Sequence, residues 1–89
     1  GGDGAFMLTE KGERYFCAAP AGKVRDTVGS GDSLVAGFLS EYSATGDAHR
    51  AFLRGVAAGS ASAFCDGLAD KEATDKLFNQ LLEQYGAAL

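Results

Sequence analysis

The chain is short of the residues that stiffen, staple or positively charge a protein: one proline, one histidine and two cysteines in 89 residues, with eight basic side chains against twelve acidic ones. Each scarcity excludes something. Cys17 and Cys65 stand far apart, with no C-x-x-C neighbour and no histidine cluster, so neither a zinc site nor a disulfide framework is indicated and reduced, buried thiols are expected. A net charge of −4 supplies no basic patch for a nucleic-acid backbone or a negatively charged membrane surface. No apolar run approaches the ~20 residues of a spanning helix, so a soluble, cytoplasmic protein is expected. Internal repeats, low-complexity tracts and like-charge blocks are missing too. A chain of this size buries only about 60–65% of its unfolded surface. With no initiator Met or secretory h-region ahead of Gly1-Gly2-Asp3-Gly4, it reads as a portion of something longer.

The common phosphate-binding and nucleophile patterns are also absent. There is no G-x-x-x-x-G-K-[ST]. The dinucleotide fingerprint fails because the sixth position from Gly29 is Leu34, and no G-x-S-x-G occurs. What is present is Asp26-Thr27-Val28-Gly29-Ser30-Gly31-Asp32-Ser33, running into the apolar Leu34-Val35-Ala36-Gly37-Phe38-Leu39. Two glycines one residue apart, then an acid, then helical periodicity describe a loop that feeds free N–H groups into a helix N-terminus, a place built for negative charge. Asp32 is out of place in a plain phosphate cradle, because its charge repels a phosphate. A carboxylate that orients or deprotonates a nucleophilic hydroxyl would justify that repulsion, and the combination points to phosphoryl transfer. The plainer reading is that Asp32 caps the helix and the glycines make the turn. Ser33 would cap equally well.

Around this stretch, Ala5–Thr9 and Arg14–Ala18 are apolar runs of strand length separated by a loop containing Gly12, which predicts a β-hairpin. The near-continuous apolarity of the first run predicts burial on both faces. After the loop, Leu34, Val35, Phe38, Leu39 and Tyr42 predict one apolar stripe on a helix that starts after Asp32. Asp47 is the expected N-cap of a second helix reaching about Phe64, on which Ala51, Gly55, Gly59 and Ala63 make a smooth face. That face either packs closely against a neighbour or leaves room for a flat ligand such as a nucleotide base. Asp70 is expected to cap a third helix with Leu77, Phe78, Leu81, Leu82 and Tyr85 buried and Gly86 as its C-cap. His49 has no evident partner and reads as solvated surface. Asp3 reads as part of the glycine-rich turn and Arg25 as surface charge.

Asp26 to Asp32 with Ser33-Leu34-Val35-Ala36-Gly37 resembles the C-terminal signature of the ribokinase-like (PfkB) carbohydrate kinase family, departing from its commonest form only at Ser30. Gly1-Gly2-Asp3-Gly4 resembles the family's nucleotide-contacting turn, and Gly55 to Ala69 its nucleotide-side helix and loop. The resemblance covers essentially the whole chain and implies the C-terminal, nucleotide-binding and catalytic portion of one larger three-layer α/β/α kinase domain. It implies Asp32 as the base acting on a sugar hydroxyl, the backbone N–H groups of Gly29, Ser30 and Gly31 as an anion hole for ATP phosphate, and nucleotide contacts at Gly1, Gly2, Gly4 and Gly59. A monovalent cation such as K+ would be held by carbonyls near Asp26 and Val28, although Asp26 could equally be a turn-forming residue. ATP and Mg2+ are the implied cofactors, a sugar phosphate the implied substrate and a homodimer the implied parent; the magnesium and sugar residues would lie upstream. The Ser33 and Val35-Ala36-Gly37 continuation, with Gly67-Leu68-Ala69, looks most like the branch acting on hexose phosphates. A reading of another class is a non-catalytic nucleotide-binding or regulatory protein on the same fold, which would have no need to keep Asp32.

Overall fold

Alternation of side chains along two short runs decides the first layer. In the computed structural model, which describes residues 5–18, 30–63 and 71–85, β1 (Ala5–Leu8) and β2 (Arg14–Cys17) pair antiparallel, with Ala5 opposite Cys17 and Met7 opposite Tyr15. The loop between them closes through the Thr9 amide on the Glu13 carbonyl at 2.9 Å and the Gly12 amide on the Thr9 carbonyl at 3.0 Å. Gly12 takes a φ of 84°, open to a residue without Cβ. Ala5, Met7, Tyr15 and Cys17 face the helices and pack on the core. Phe6, Leu8 and Phe16 face away and are 63%, 61% and 56% exposed. Among the described residues only one face of the pleat is covered, and burial of the other, expected from the apolar run, takes a layer beyond them.

Three helices follow: α1 (Ser30–Thr45), α2 (Ala48–Ala63) and α3 (Lys71–Tyr85). The turn from α1 to α2 is written in its residues. Gly46 adopts a φ of 71° and its amide donates to the Tyr42 carbonyl at 2.8 Å, ending α1. Asp47 then caps α2 as expected, its Oδ1 accepting the Arg50 amide at 3.0 Å. The two helices return antiparallel across glycines. A Cβ on Gly37 would stand 2.9 Å from the Ala58 Cβ, and one on Gly55 would stand 2.8 Å from the Leu34 carbonyl oxygen. For Gly55 the smooth face of α2 is thus a packing surface.

The single apolar stripe expected on α1 divides into two. Leu34 and Phe38 lie against Gly55 of α2, while Val35, Leu39 and Tyr42 are 54%, 56% and 47% exposed. At 100° per residue the five positions span two neighbouring lines, and α2 covers one of them. Phe52, Leu53, Val56 and Ala57 of α2 form the core with Cys17 of β2 and Phe78 and Leu81 of α3. Leu77, Leu82 and Tyr85 pack at its edge, as the third stripe predicted. The Tyr85 hydroxyl accepts the Ala18 amide at 3.1 Å, tying the hairpin to α3. The guanidinium groups of Arg50 and Arg54 lie over the Phe78 ring, 5.1 and 5.0 Å from its centroid.

His49 is not solvated surface. It is buried, and its ring stacks on Tyr15 with centroids 4.4 Å apart and planes 9° from parallel. Its spacing with Phe52, Leu53 and Val56 puts it on the buried side of α2, where the hairpin seals it. The expected caps at Asp70 and Gly86, the helix end at Phe64, and Pro20 to Arg25 lie outside the described residues.

Candidate active site

The candidate turn is the beginning of α1. Ser30, Gly31 and Asp32 are its first three residues, so the helix starts before Asp32 and not after it. Asp32 therefore sits inside the first turn, and the reading that it is the N-cap falls away. An acid here suits the positive end of the helix dipole. It does not fill the capping position, which falls to a residue before Ser30, outside the described residues.

Two further observations define the opening. A Cβ built on Gly31 meets nothing within 4 Å among the described residues, so none of them demands the missing side chain. Asp32 is exposed, and its carboxylate has no hydrogen-bond or ion-pair partner among the described residues. A carboxylate held on a rigid turn with no internal partner can accept a proton or a hydrogen bond from something outside.

Beside the turn runs a groove of about 280 Å³, lined by Ser33, Ala36, Gly37 and Ser40 of α1, Arg54 and Ala58 of α2, and Lys71 and Thr74 of α3. Its two cations are engaged by one acid: Asp75 accepts from Arg54 Nη1 and from Lys71 Nζ, both at 2.7 Å. These bonds, from Lys71 first and Arg54 second, hold the Asp75 carboxyl below the usual carboxylate range. On the opposite side of α2, burial pushes the Cys17 thiol up to about 11, which keeps it protonated and inert. The bond to Glu13, which takes the Tyr15 hydroxyl at 2.9 Å, pushes that phenol up as well.

Of the other residues singled out in the sequence, Gly59 is buried in α2 one turn beyond Gly55. Gly1, Gly2, Gly4, Asp26, Val28 and Gly29 lie outside the described residues, as does Cys65. Among the described residues no group of three or more His, Cys, Asp or Glu side chains could hold a metal, and no helix is long and apolar enough to cross a membrane. Among the described residues the start of α1 offers the positive end of a helix dipole and an exposed carboxylate, and no set of side chains there fits magnesium. The four-residue recurrence of small residues signalled the close packing seen at Gly55, whose neighbour is Leu34 of α1. Sequence reasoning missed the burial of His49.

Comparison with known proteins agrees with this geometry. Residues 1–75 match the model of the pfkB family of carbohydrate kinases. The chain is 41% identical over 80 residues to a 1-phosphofructokinase of Bacillus subtilis, covering 90% of this chain and 26% of that protein. It superposes on phosphofructokinase-2 of Escherichia coli, solved with substrates and products, with a TM-score of 0.82 at 27% identity, covering 90% of this chain and 26% of that one. It also superposes on a Methanocaldococcus jannaschii nucleoside kinase of the ribokinase family, with a TM-score of 0.74 at 29% identity, covering 90% and 28%. The chain spans about a quarter of the length of these relatives. With its hairpin and three helices it is an α/β segment of the ribokinase fold, and it belongs to the pfkB family of carbohydrate kinases.

Proposed function

We propose that these residues are the C-terminal, nucleotide-side portion of a larger single-domain ATP-dependent sugar-phosphate kinase, and that its reaction converts fructose 1-phosphate to fructose 1,6-bisphosphate. The observation that carries the catalytic reading is the exposed carboxylate of Asp32 in the first turn of α1, which has no partner among the described residues, next to a glycine whose missing Cβ meets none of them. The substrate reading leans on the 41% identity to a 1-phosphofructokinase. Tagatose 6-phosphate is the second acceptor, since the same segment of fold serves proteins as different as a phosphofructokinase and a nucleoside kinase.

In this reading ATP brings the γ-phosphoryl group, and the chain supplies placement and charge. An oxygen of the Asp32 carboxylate takes the proton of the acceptor hydroxyl as the hydroxyl oxygen bonds to the γ-phosphorus and the bond from that phosphorus to ADP breaks. Negative charge on the transferring group meets the backbone N–H groups of Gly29, Ser30 and Gly31 at the helix start. Such a loose transition state asks more of position than of base strength, so an ordinary aspartate is adequate. Gly59 lies on the nucleotide side in this reading, with Gly1, Gly2 and Gly4 contacting the nucleotide. Magnesium and a monovalent cation near Asp26 and Val28 enter through the family alone, and no step is assigned to them.

The exposed rows of Phe6, Leu8 and Phe16 and of Val35, Leu39 and Tyr42 support a domain that continues over both faces. The 89 residues alone provide one wall of a site that must position two substrates, so in isolation they are inactive. The test is steady-state phosphorylation of a sugar-phosphate panel by the full-length polypeptide. The proposal expects ATP-dependent turnover with the highest kcat/KM on fructose 1-phosphate; preference for tagatose 6-phosphate selects the second acceptor, and no turnover on any sugar phosphate rejects the kinase reading.

A further inference from the structure

We propose that Gly55 is a positioning residue for Asp32, setting by close contact at Leu34 how far the N-terminal part of α1 stands from α2. The proposal rests on the kinase reading and adds to it a residue with no contact to substrate. The atom that Gly55 faces is the main-chain oxygen of Leu34, 2.8 Å from where a Cβ would be, with the Phe38 Cβ at 3.4 Å and the Leu34 Cδ2 at 3.5 Å. Leu34 lies two residues beyond Asp32 in the same helical run. Leu34 is the residue whose amide reaches the Ser30 carbonyl in regular α-helical bonding, so its peptide cannot retreat without pulling on the turn that carries Asp32.

Gly37 makes the instructive control. A Cβ there would stand 2.9 Å from the Ala58 Cβ, 3.1 Å from the Arg54 carbonyl oxygen and 3.3 Å from the Gly55 Cα. That contact also holds α1 to α2, but it bears on α1 five residues past Asp32. A methyl group at 55 therefore pushes on the catalytic turn, whereas one at 37 pushes on the middle of the helix. Because misplacement of a reacting group by about 1 Å can cost 10²-fold in rate, the two additions should differ in activity more than in stability.

The experiment is a double-mutant cycle in the full-length kinase, using Gly55→Ala, Asp32→Asn and the pair, with Gly37→Ala alongside and single-turnover kinetics for the slow variants. Gly55→Ala is expected to lower kcat by about 10- to 10²-fold, with the KM for ATP changed far less, and to have almost no further effect once Asp32 is Asn. Gly37→Ala is expected to lower the melting temperature similarly with a smaller loss of kcat. A packing role would instead reduce activity by the same factor in both backgrounds, and that additive result overturns the proposal. If Gly55→Ala does not fold, Leu34→Ala replaces it in the cycle, because it frees the same turn by removing the side chain that packs on Gly55; additivity again overturns the idea. An unchanged kcat in Asp32→Asn alone would mean that the kinase assignment of Asp32 has failed, whereas a crippled Asp32→Asn with an additive Gly55→Ala removes only the positioning role.

Discussion

At its C-terminal end α1 is closed by its own residues: Gly46 turns the backbone, and Thr45 Oγ1 donates to the Glu41 carbonyl at 2.9 Å while accepting the Asp47 amide at 3.2 Å. Glu41 also holds Arg50 of α2 at 2.8 Å. At its N-terminal end the same helix presents an acid without a partner among the described residues and a glycine with nothing above it. Both ends carry the same kinds of residue, glycine and aspartate. At one end they are consumed in joining two helices; at the other no described residue engages them. The difference teaches that residue type does not separate structure from function here. Whether the hydrogen-bonding groups already have partners does.

The comparison breaks most sharply at the open end. Asp32→Asn keeps size and polarity while removing charge and proton-accepting ability. On the proposed kinase reading, kcat of the full-length protein should fall about 10²- to 10⁴-fold, with ATP affinity unchanged or slightly tighter because that reading places the lost negative charge near the phosphates. Steady-state kinetics with nucleotide binding and a melting curve on the same variant decide it. A kcat within a few-fold of wild type together with a lower melting temperature would make this end structural as well.

Gly31→Ala sharpens the same contrast from the steric side. No described atom lies where the methyl group goes, and alanine is the better helix former by about 0.5–1 kcal/mol in a helix interior. The melting temperature should hold or rise slightly, while activity falls because the methyl occupies the approach to the transferring group. Parallel loss of stability and activity would show that the glycine serves the turn alone.

At the closed end the signs reverse. Asp47→Ala removes the acceptor of the Arg50 amide and should cost about 0.5–2 kcal/mol of stability. Gly46→Ala forces a Cβ into the left-handed region and should cost roughly 1 kcal/mol or somewhat more. Melting temperature reads both, and kcat at a temperature where the protein is folded should stay near wild type. A selective loss of kcat in either would mean that the two ends are coupled along α1.

Much of this was legible beforehand, for local reasons. Gly12 between two apolar runs announced the hairpin, Asp47 its cap, and Leu77, Phe78, Leu81, Leu82 and Tyr85 the inner face of α3, because turn chemistry and helical periodicity act within a few residues. The glycine and aspartate pattern pointed to the family to which the chain belongs. What was not legible depended on neighbours distant in sequence. His49 is buried because Tyr15 of the hairpin lies on it, and a one-helix window contains no hairpin. Val35, Leu39 and Tyr42 look like core by periodicity but are exposed, since periodicity marks a side chain as apolar without saying which element covers it. The start of α1 was set too late because Asp32 looked like a cap, and a carboxylate in the first turn reads almost the same in sequence as one just before it.

The smallest expected effect concerns an acid whose groups are all taken, as at the closed end of α1, but in the groove beside the open one. Lys71 and Arg54 hold the Asp75 carboxyl below its ordinary range. A depressed carboxylate contributes stability that is present above its unfolded pKa, about 3.9, and is lost as pH falls through the still lower folded value. Asp75→Asn should therefore leave a slightly lower melting temperature at neutral pH and a flatter decline below about pH 4. Because Lys71 is 83% exposed and Asp75 39% exposed, water and salt screen the attraction, and the difference between variant and wild type should shrink further in high salt. Melting temperatures between pH 2 and 7, at low and high ionic strength, check the sign and the screening together. If the variant matches wild type at every pH, the Arg54–Asp75–Lys71 contact is a surface arrangement without consequence for the fold; if it lowers kcat instead, the groove beside the first turn of α1 belongs with the open end.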